Sequence, residues 1–200
     1  MGASVTPNYS YVTGLNRWEK GNGLFRCNYE LLLNYRINKH FQFITGIALN
    51  QYGFYIKSNM FPPSSSIYDK DYTYYESIRI PVQCRYNFFS KPKYLLFTDL
   101  GIELSYYLQE TDSSYYSWNN KWTSVTFYRF NVSPSFIMPF ATAGIGIENK
   151  IFKHLYSSIS IGFEYSLVPI IYQTYNSQMP GLTYYNIYSC FLKAGIKSNF

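Results

Sequence analysis

Residues 77–88 read SIRIPVQCRYNF. Ile78, Ile80, Val82, Cys84, Tyr86 and Phe88 fall on one parity; Ser77, Arg79, Gln83, Arg85 and Asn87 fall on the other. A period of two sustained over this length is a β-strand with one apolar and one polar face. The run is roughly twice the usual strand of about 5–6 residues. Two arginines on the polar face make one question decisive: which face points inward.

The same alternation recurs along the chain. Working outward from 77–88, the preceding segments are ASVTPNYSYVTG (3–14), LFRCNYELLLNYRI (24–37) and FQFITGIALNQYGFYIKS (41–58). The following ones are YLLFTDLGIELSYYLQ (94–109), a sixth that ends in FIMPFATAGIGIEN (136–149), YSSISIGFEYSLVPIIY (156–172) and YYNIYSCFLKAGIKSNF (184–200). That makes about eight strands. The breaks between them alternate in kind. NKH (38–40), SKPK (90–93) and FKHL (152–155) are short and basic. LNRWEKGNG (15–23), NMFPPSSSIYDKD (59–71), ETDSSYYSWNNKW (110–122) and QTYNSQMPG (173–181) are longer, polar and rich in Trp or Tyr. An even-numbered meander with short turns at one end and long loops at the other is the organisation of a membrane-spanning β-barrel.

Composition agrees. Among 200 residues there are 24 Tyr and 16 Phe, and only 14% are charged. Tyr and Phe favour pleated strands. No run of about 18 apolar residues occurs, which excludes a spanning helix. The mean hydropathy of −0.19 is compatible with spanning strands, whose lipid-facing and lumen-facing residues average out. No linker or composition shift divides the chain, so 1–200 is read as one domain.

Parity separates the faces on other segments too. Leu100, Ile102, Leu104 and Tyr106 oppose Asp99, Glu103, Ser105 and Gln109. Ile159, Ile161, Phe163, Tyr165 and Leu167 oppose Ser158, Ser160, Glu164 and Ser166. Ala143, Ile145 and Ile147 oppose Thr142 and Glu148. A soluble, lipocalin-like ligand-binding barrel would put the apolar face inside. Against it, that face is too continuously bulky for an eight-stranded interior. The polar face carries Gly46, Gly101, Gly144, Gly146, Gly162 and Gly195, and small residues suit a crowded inside. Aromatic residues also gather near strand ends, as at membrane interfaces. The expectation is a transmembrane barrel with the polar face inward.

Interior charges need partners. The polar parity holds Arg26, Arg36, Arg79, Arg85, Lys193 and Lys197 against Glu30, Asp99, Glu103, Glu148 and Glu164. The two sets nearly cancel, so the expectation is an interior charge network that closes the lumen to ions. Cys27, Cys84 and Cys190 fall on the lipid parity at unrelated spacings, and read as small apolar side chains rather than disulfide or metal partners. The net charge of +6 has an outlet in the short turns, through Lys39, Lys91, Lys93, Lys150 and Lys153, with His40 and His154 beside them. Cations split between turns and an oppositely charged interior do not make a continuous nucleic-acid surface.

No catalytic signature is found. Serine-hydrolase chemistry on a surface lipid needs a His beside a Ser. The only histidines, His40 and His154, fall in short turns on the far side from such a substrate. GxSxG, HExxH and phosphate-loop motifs are absent. The NVS at Asn131 is a glycosylation pattern, which would carry no meaning if the protein were bacterial. No enzyme, cofactor or metal is expected. A lipid-modifying enzyme is kept as an alternative.

YYESIRIPVQCRYNF, with KPKYLLFTDLGIELSYYL after it, resembles a small outer-membrane barrel family of the Bacteroidetes, the PorT-like group. Ile80-Pro81, Gly101, Gly144 and Gly162 carry the resemblance, FATAGIGIENKIFKHLYSSISIGFEYSL is similar to its next hairpin, and LKAGIKSNF to its closing strand. The resemblance implies an eight-stranded barrel in the outer membrane; one branch serves type IX secretion, and no motif here assigns the chain to it. Met1 runs directly into GASVTPNYS, with no basic or apolar leader, so a mature chain is expected. MGASVT matches a myristoylation pattern too loose to weigh. The final Phe200 shares parity with Ile196 and Leu192, and a terminal aromatic there resembles the signal read by barrel assembly machinery. Expected partners are therefore outer-membrane lipids, that machinery, and a surface or envelope protein met by loops carrying Trp18, Trp118 and Trp122. Those tryptophans also suit the outer head-group belt.

Overall fold

A computed structural model describes residues 1–13, 19–58, 68–118, 121–130, 137–174 and 181–198. They form ten strands: β1 (Gly2–Thr13), β2 (Glu19–Arg36), β3 (Phe41–Ser58), β4 (Tyr68–Ser90), β5 (Tyr94–Trp118), β6 (Lys121–Phe130), β7 (Ile137–Lys150), β8 (Leu155–Ser166), β9 (Ile170–Thr174) and β10 (Gly181–Ser198). Every pairing is antiparallel, in the order β1-β2-β3-β4-β5-β7-β8-β10, and β1 pairs with β10 to close the cylinder. Eight staves therefore make the wall.

Of the two extra strands, β6 begins in the expected loop 110–122, while β9 takes up the end of the strand expected over 156–172, which is interrupted between Ser166 and Ile170, where Pro169 lies. β5 pairs with β7 over Tyr94–Tyr106, then continues upward and pairs with β6 from Gln109 to Trp118. β9 likewise pairs with the upper part of β10, Gly181–Tyr185. The segment 110–122 is polar, and polarity suggested a loop. Its Thr, Tyr and Trp residues are nonetheless strand formers, and the ladder runs on through them. β4 and β5, at 23 and 25 residues, far exceed the 9–11 needed to cross a bilayer. The surplus lies on the long-loop side.

The polar face points inward. Arg79 is 0% exposed and Glu164 5%, whereas Leu100 and Ile161 are each 57% exposed. That inversion overturns the soluble-barrel alternative, which requires the opposite. Cys27, Cys84 and Cys190 are free and on the outer face. Outward aromatic residues bracket the apolar band: Tyr74 and Tyr86 on β4, Tyr106 and Tyr94 on β5. Twelve residues of tilted strand between such levels span about 28 Å, close to the apolar band of an outer-membrane barrel. At the upper edge of the band, just inside the Tyr74 level, one outward polar pair appears: Gln51 donates to Glu76 at 3.1 Å.

Inside, glycines make seats for rings. A Cβ on Gly146 would come within 2.6 Å of Phe97 Cζ, and one on Gly162 would collide with Phe191 Cζ. Both phenylalanines sit on the inward parity, which the alternation alone assigned to polar groups. Glycine on one stave and a ring on another fill a narrow interior that two large side chains could not share.

Candidate functional site

The lumen is built in tiers from the turn end. Lowest lies Arg85 on β4. Its Nε and Nη2 donate to Asp99 at 2.7 and 2.8 Å, the bidentate geometry that makes such pairs strong. Its Nη1 reaches Glu148 on β7 at 3.1 Å, and the guanidinium lies 3.5 Å from the centroid of the Phe97 ring. Lys197 on β10 donates to Gln42 on β3 at 3.1 Å and pairs with Glu148 at 3.4 Å. Beside this group, Lys193 bonds Glu30 at 2.8 Å, and Ser4 and Thr6 donate to the same carboxylate.

Higher up is Arg79. One nitrogen, Nη1, donates to Glu103 on β5 at 2.6 Å and to Glu164 on β8 at 2.9 Å. Gln83 supports Glu103 at 2.7 Å. The rings of Tyr52 and Phe140 stack on each other at 5.4 Å, with the Arg79 guanidinium 4.5 and 4.2 Å from their centroids. A delocalised, weakly hydrated cation against aromatic faces is the arrangement in which guanidinium outperforms ammonium.

Above Arg79 the interior changes character. Val12, Tyr52, Phe54, Tyr75, Tyr107, Met138, Phe140 and Ile187 form one buried apolar cluster. Tyr107 stands edge-on to Tyr75 and donates its hydroxyl to Met138 Sδ at 3.2 Å. An interior expected to be polar throughout is thus polar below and aromatic above. Apolar residues on the inward parity, with Phe97 and Phe191 set against inward glycines among them, were the signal available for the interior rings.

The expected network is brought together only in part. Arg79, Arg85, Lys193 and Lys197 meet Glu30, Asp99, Glu103, Glu148 and Glu164. Arg26 is a correction. The β2–β3 register shifts between Gly23 and Tyr29, and Arg26 lies 4.3 Å over the ring of Tyr74, beside Gly53. Gly53 alternates with the buried Tyr52 and Phe54, so this stack is on the outer surface, at the upper edge of the apolar band. Arg36 is a second correction. It is exposed at the turn-side mouth, its Nε donating to the Asn38 carbonyl at 3.2 Å. Trp18 and Phe200 lie outside the described residues. Trp118 and Trp122 have their backbones in β5 and β6, and their side chains lie outside the described set.

Chemically, the tiers offer ion pairing and closure. His40 sits in the first turn, its Nδ1 3.1 Å from the Asn87 carbonyl oxygen. Among the described residues, no group of three His, Cys, Asp or Glu side chains is arranged to hold a metal ion.

A closed antiparallel cylinder with charges inside and a bare apolar band outside is an integral β-barrel of the bacterial outer membrane. The chain belongs to the outer membrane protein beta-barrel domain family, whose family model matches residues 19–172. No curated protein matches it. Among solved structures it is similar to Neisserial surface protein A, with 12% identity, 100% of this chain and 96% of that one covered, and a TM-score of 0.51. It is also similar to Ail, the attachment invasion locus protein of Yersinia pestis (14% identity, 98% and 95% covered, TM-score 0.37). A third is the outer membrane protease OmpT from Escherichia coli (8% identity, 100% and 96% covered, TM-score 0.48). At such identities the likeness concerns fold alone.

Proposed function

We propose that this protein is a non-enzymatic surface barrel whose loop-side strand extensions serve recognition, adhesion or assembly with another envelope protein. The observation that carries the reading is the β5–β6 hairpin, which continues ten register pairs beyond the stave that crosses the membrane, from Gln109↔Phe130 to Trp118↔Lys121. A rigid ladder raised above the bilayer presents a surface at lower ordering cost than a loose loop. The plugged interior argues against transport as the main task. The absence of an enzymatic role is supported by the position of both histidines in the short turns. Within the wider family, the PorT-like resemblance of Ile80-Pro81 and Gly101 is part of the same proposal. The membrane lipids and the assembly machinery would be its housekeeping partners.

Replacing 110–129 by a short turn tests the reading. The shortened barrel should still show a heat-dependent gel shift while cells lose contact with the surface or envelope partner. Protease applied to intact cells should cut the wild type in its long connections; cleavage confined to 38–40, 90–93 or 152–155 would reverse the topology.

A further inference from the structure

The turn-side mouth of the barrel is a cavity of about 610 Å³. Arg36, Lys91, Lys93, Lys150 and Lys197 line it, with Glu148 the one carboxylate among its lining residues. Glu148 is already engaged: its Oε2 takes Arg85 at 3.1 Å and Lys197 at 3.4 Å, so it forms the floor. Lys91, Lys93 and Lys150 have no ion pair among the described residues. Arg36 is held by its Nε bond to the Asn38 carbonyl, and neither of its Nη groups has an ion pair among the described residues. Convergent cations over a low-dielectric floor focus a positive potential and repel one another unless an anion lies between them. Tyr35, Tyr94 and Tyr156 also line the cavity, which sets its opening at the head-group level of the inner leaflet.

We propose that this mouth binds a phosphate ester, with the Arg36 fork and the three turn lysines on its oxygens and Lys197 beneath. A phosphate suits the site because its several oxygens accept from a planar Arg fork and point-charge lysines together. The phosphate comes either from an inner-leaflet phospholipid head group or from a soluble phosphate ester reaching the mouth from below.

The test uses the full chain folded in a non-ionic detergent, with titration calorimetry of two probes: dihexanoyl phosphatidylglycerol and glycerol 1-phosphate. Binding of the lipid alone assigns the site to a head group; binding of both assigns it to phosphate esters generally. In either case K91Q/K93Q/K150Q should weaken binding at least tenfold. K39Q/K153Q/H154Q, which changes three turn residues that do not line the cavity and removes two lysine charges, should change it less than twofold. Heat-dependent gel mobility checks that each variant is folded, and the single R36Q variant, expected to lose at least threefold, stands in if the triple variant is not. No binding of either probe overturns the proposal. Equal loss in the two triple variants also overturns it, since a diffuse rim charge would then suffice.

Discussion

Arg79 on β4 and Glu164 on β8 meet across the lumen at 2.9 Å, with the same Arg79 nitrogen holding Glu103 at 2.6 Å. Removing the cation alone leaves two buried carboxylates facing each other. Arg79→Leu should therefore destabilise the barrel by about 3–5 kcal/mol. Replacing all three residues by leucine removes the charges together and should recover most of that loss. Urea unfolding of lipid-reconstituted protein measures both.

Arg26 gives the contrasting case. Its stack on Tyr74 is outside the wall. Arg26→Ala should cost no more than about 1 kcal/mol, as for an exposed cation–ring contact. A loss as large as that of Arg79→Leu would return Arg26 to the interior.

The outer face has a depth profile. Leu100 lies midway between the Tyr94 and Tyr106 levels, and Leu100→Arg should cost about 2–4 kcal/mol, while Tyr106→Arg at the edge should cost about 0–1 kcal/mol. Equal penalties in the same unfolding assay would contradict the placement of the apolar band.

Neighbouring inward glycines should respond differently to one added methyl. At Gly146 a Cβ would sit 2.6 Å from the Ile159 carbonyl oxygen, Phe97 Cζ and Ser160 Cβ; at Gly144 the nearest atom is 3.2 Å away. Gly146→Ala should cost about 1–3 kcal/mol through overpacking, and Gly144→Ala clearly less. Adding Phe97→Leu to Gly146→Ala should return part of the loss, a coupling that a double-mutant cycle reads directly.

Closure of the lumen predicts electrical silence. Lys197 reaches Gln42, Arg79 reaches Glu164, and Tyr52 stacks on Phe140, each joining strands that are not neighbours. Wild-type protein in planar bilayers should give no discrete conductance steps; regular steps would contradict this packing.

The eight staves, the inward polar face and the bare outer face were legible in the sequence, because period-two alternation is a local signal and the strands are long. The β5–β6 hairpin was not. Polarity and strand propensity conflict over 110–122, and pairing with a neighbour settled the conflict. Parity assigned Arg26 to the interior because alternation assumes an unbroken register; the shift in β2 between Gly23 and Tyr29 is invisible without the partner strand. The interior rings were hidden for a related reason. Phe97 and Phe191 look misplaced until Gly146 and Gly162 are seen on adjoining staves.

The tiers inside the barrel also constrain the order of assembly. Gln42 and Lys197 are 155 positions apart, and Arg79 and Glu164 are 85 apart. Neither bond can form while the sheet is open and its inner face is wet. Dehydration of the buried charges therefore has to coincide with the meeting of β1 and β10, after all the hairpins exist. A chain arrested before that last seam would be an amphipathic ribbon with hydrated carboxylates, unable to sit stably in hydrocarbon. The plug acts as a checkpoint that only a finished cylinder passes.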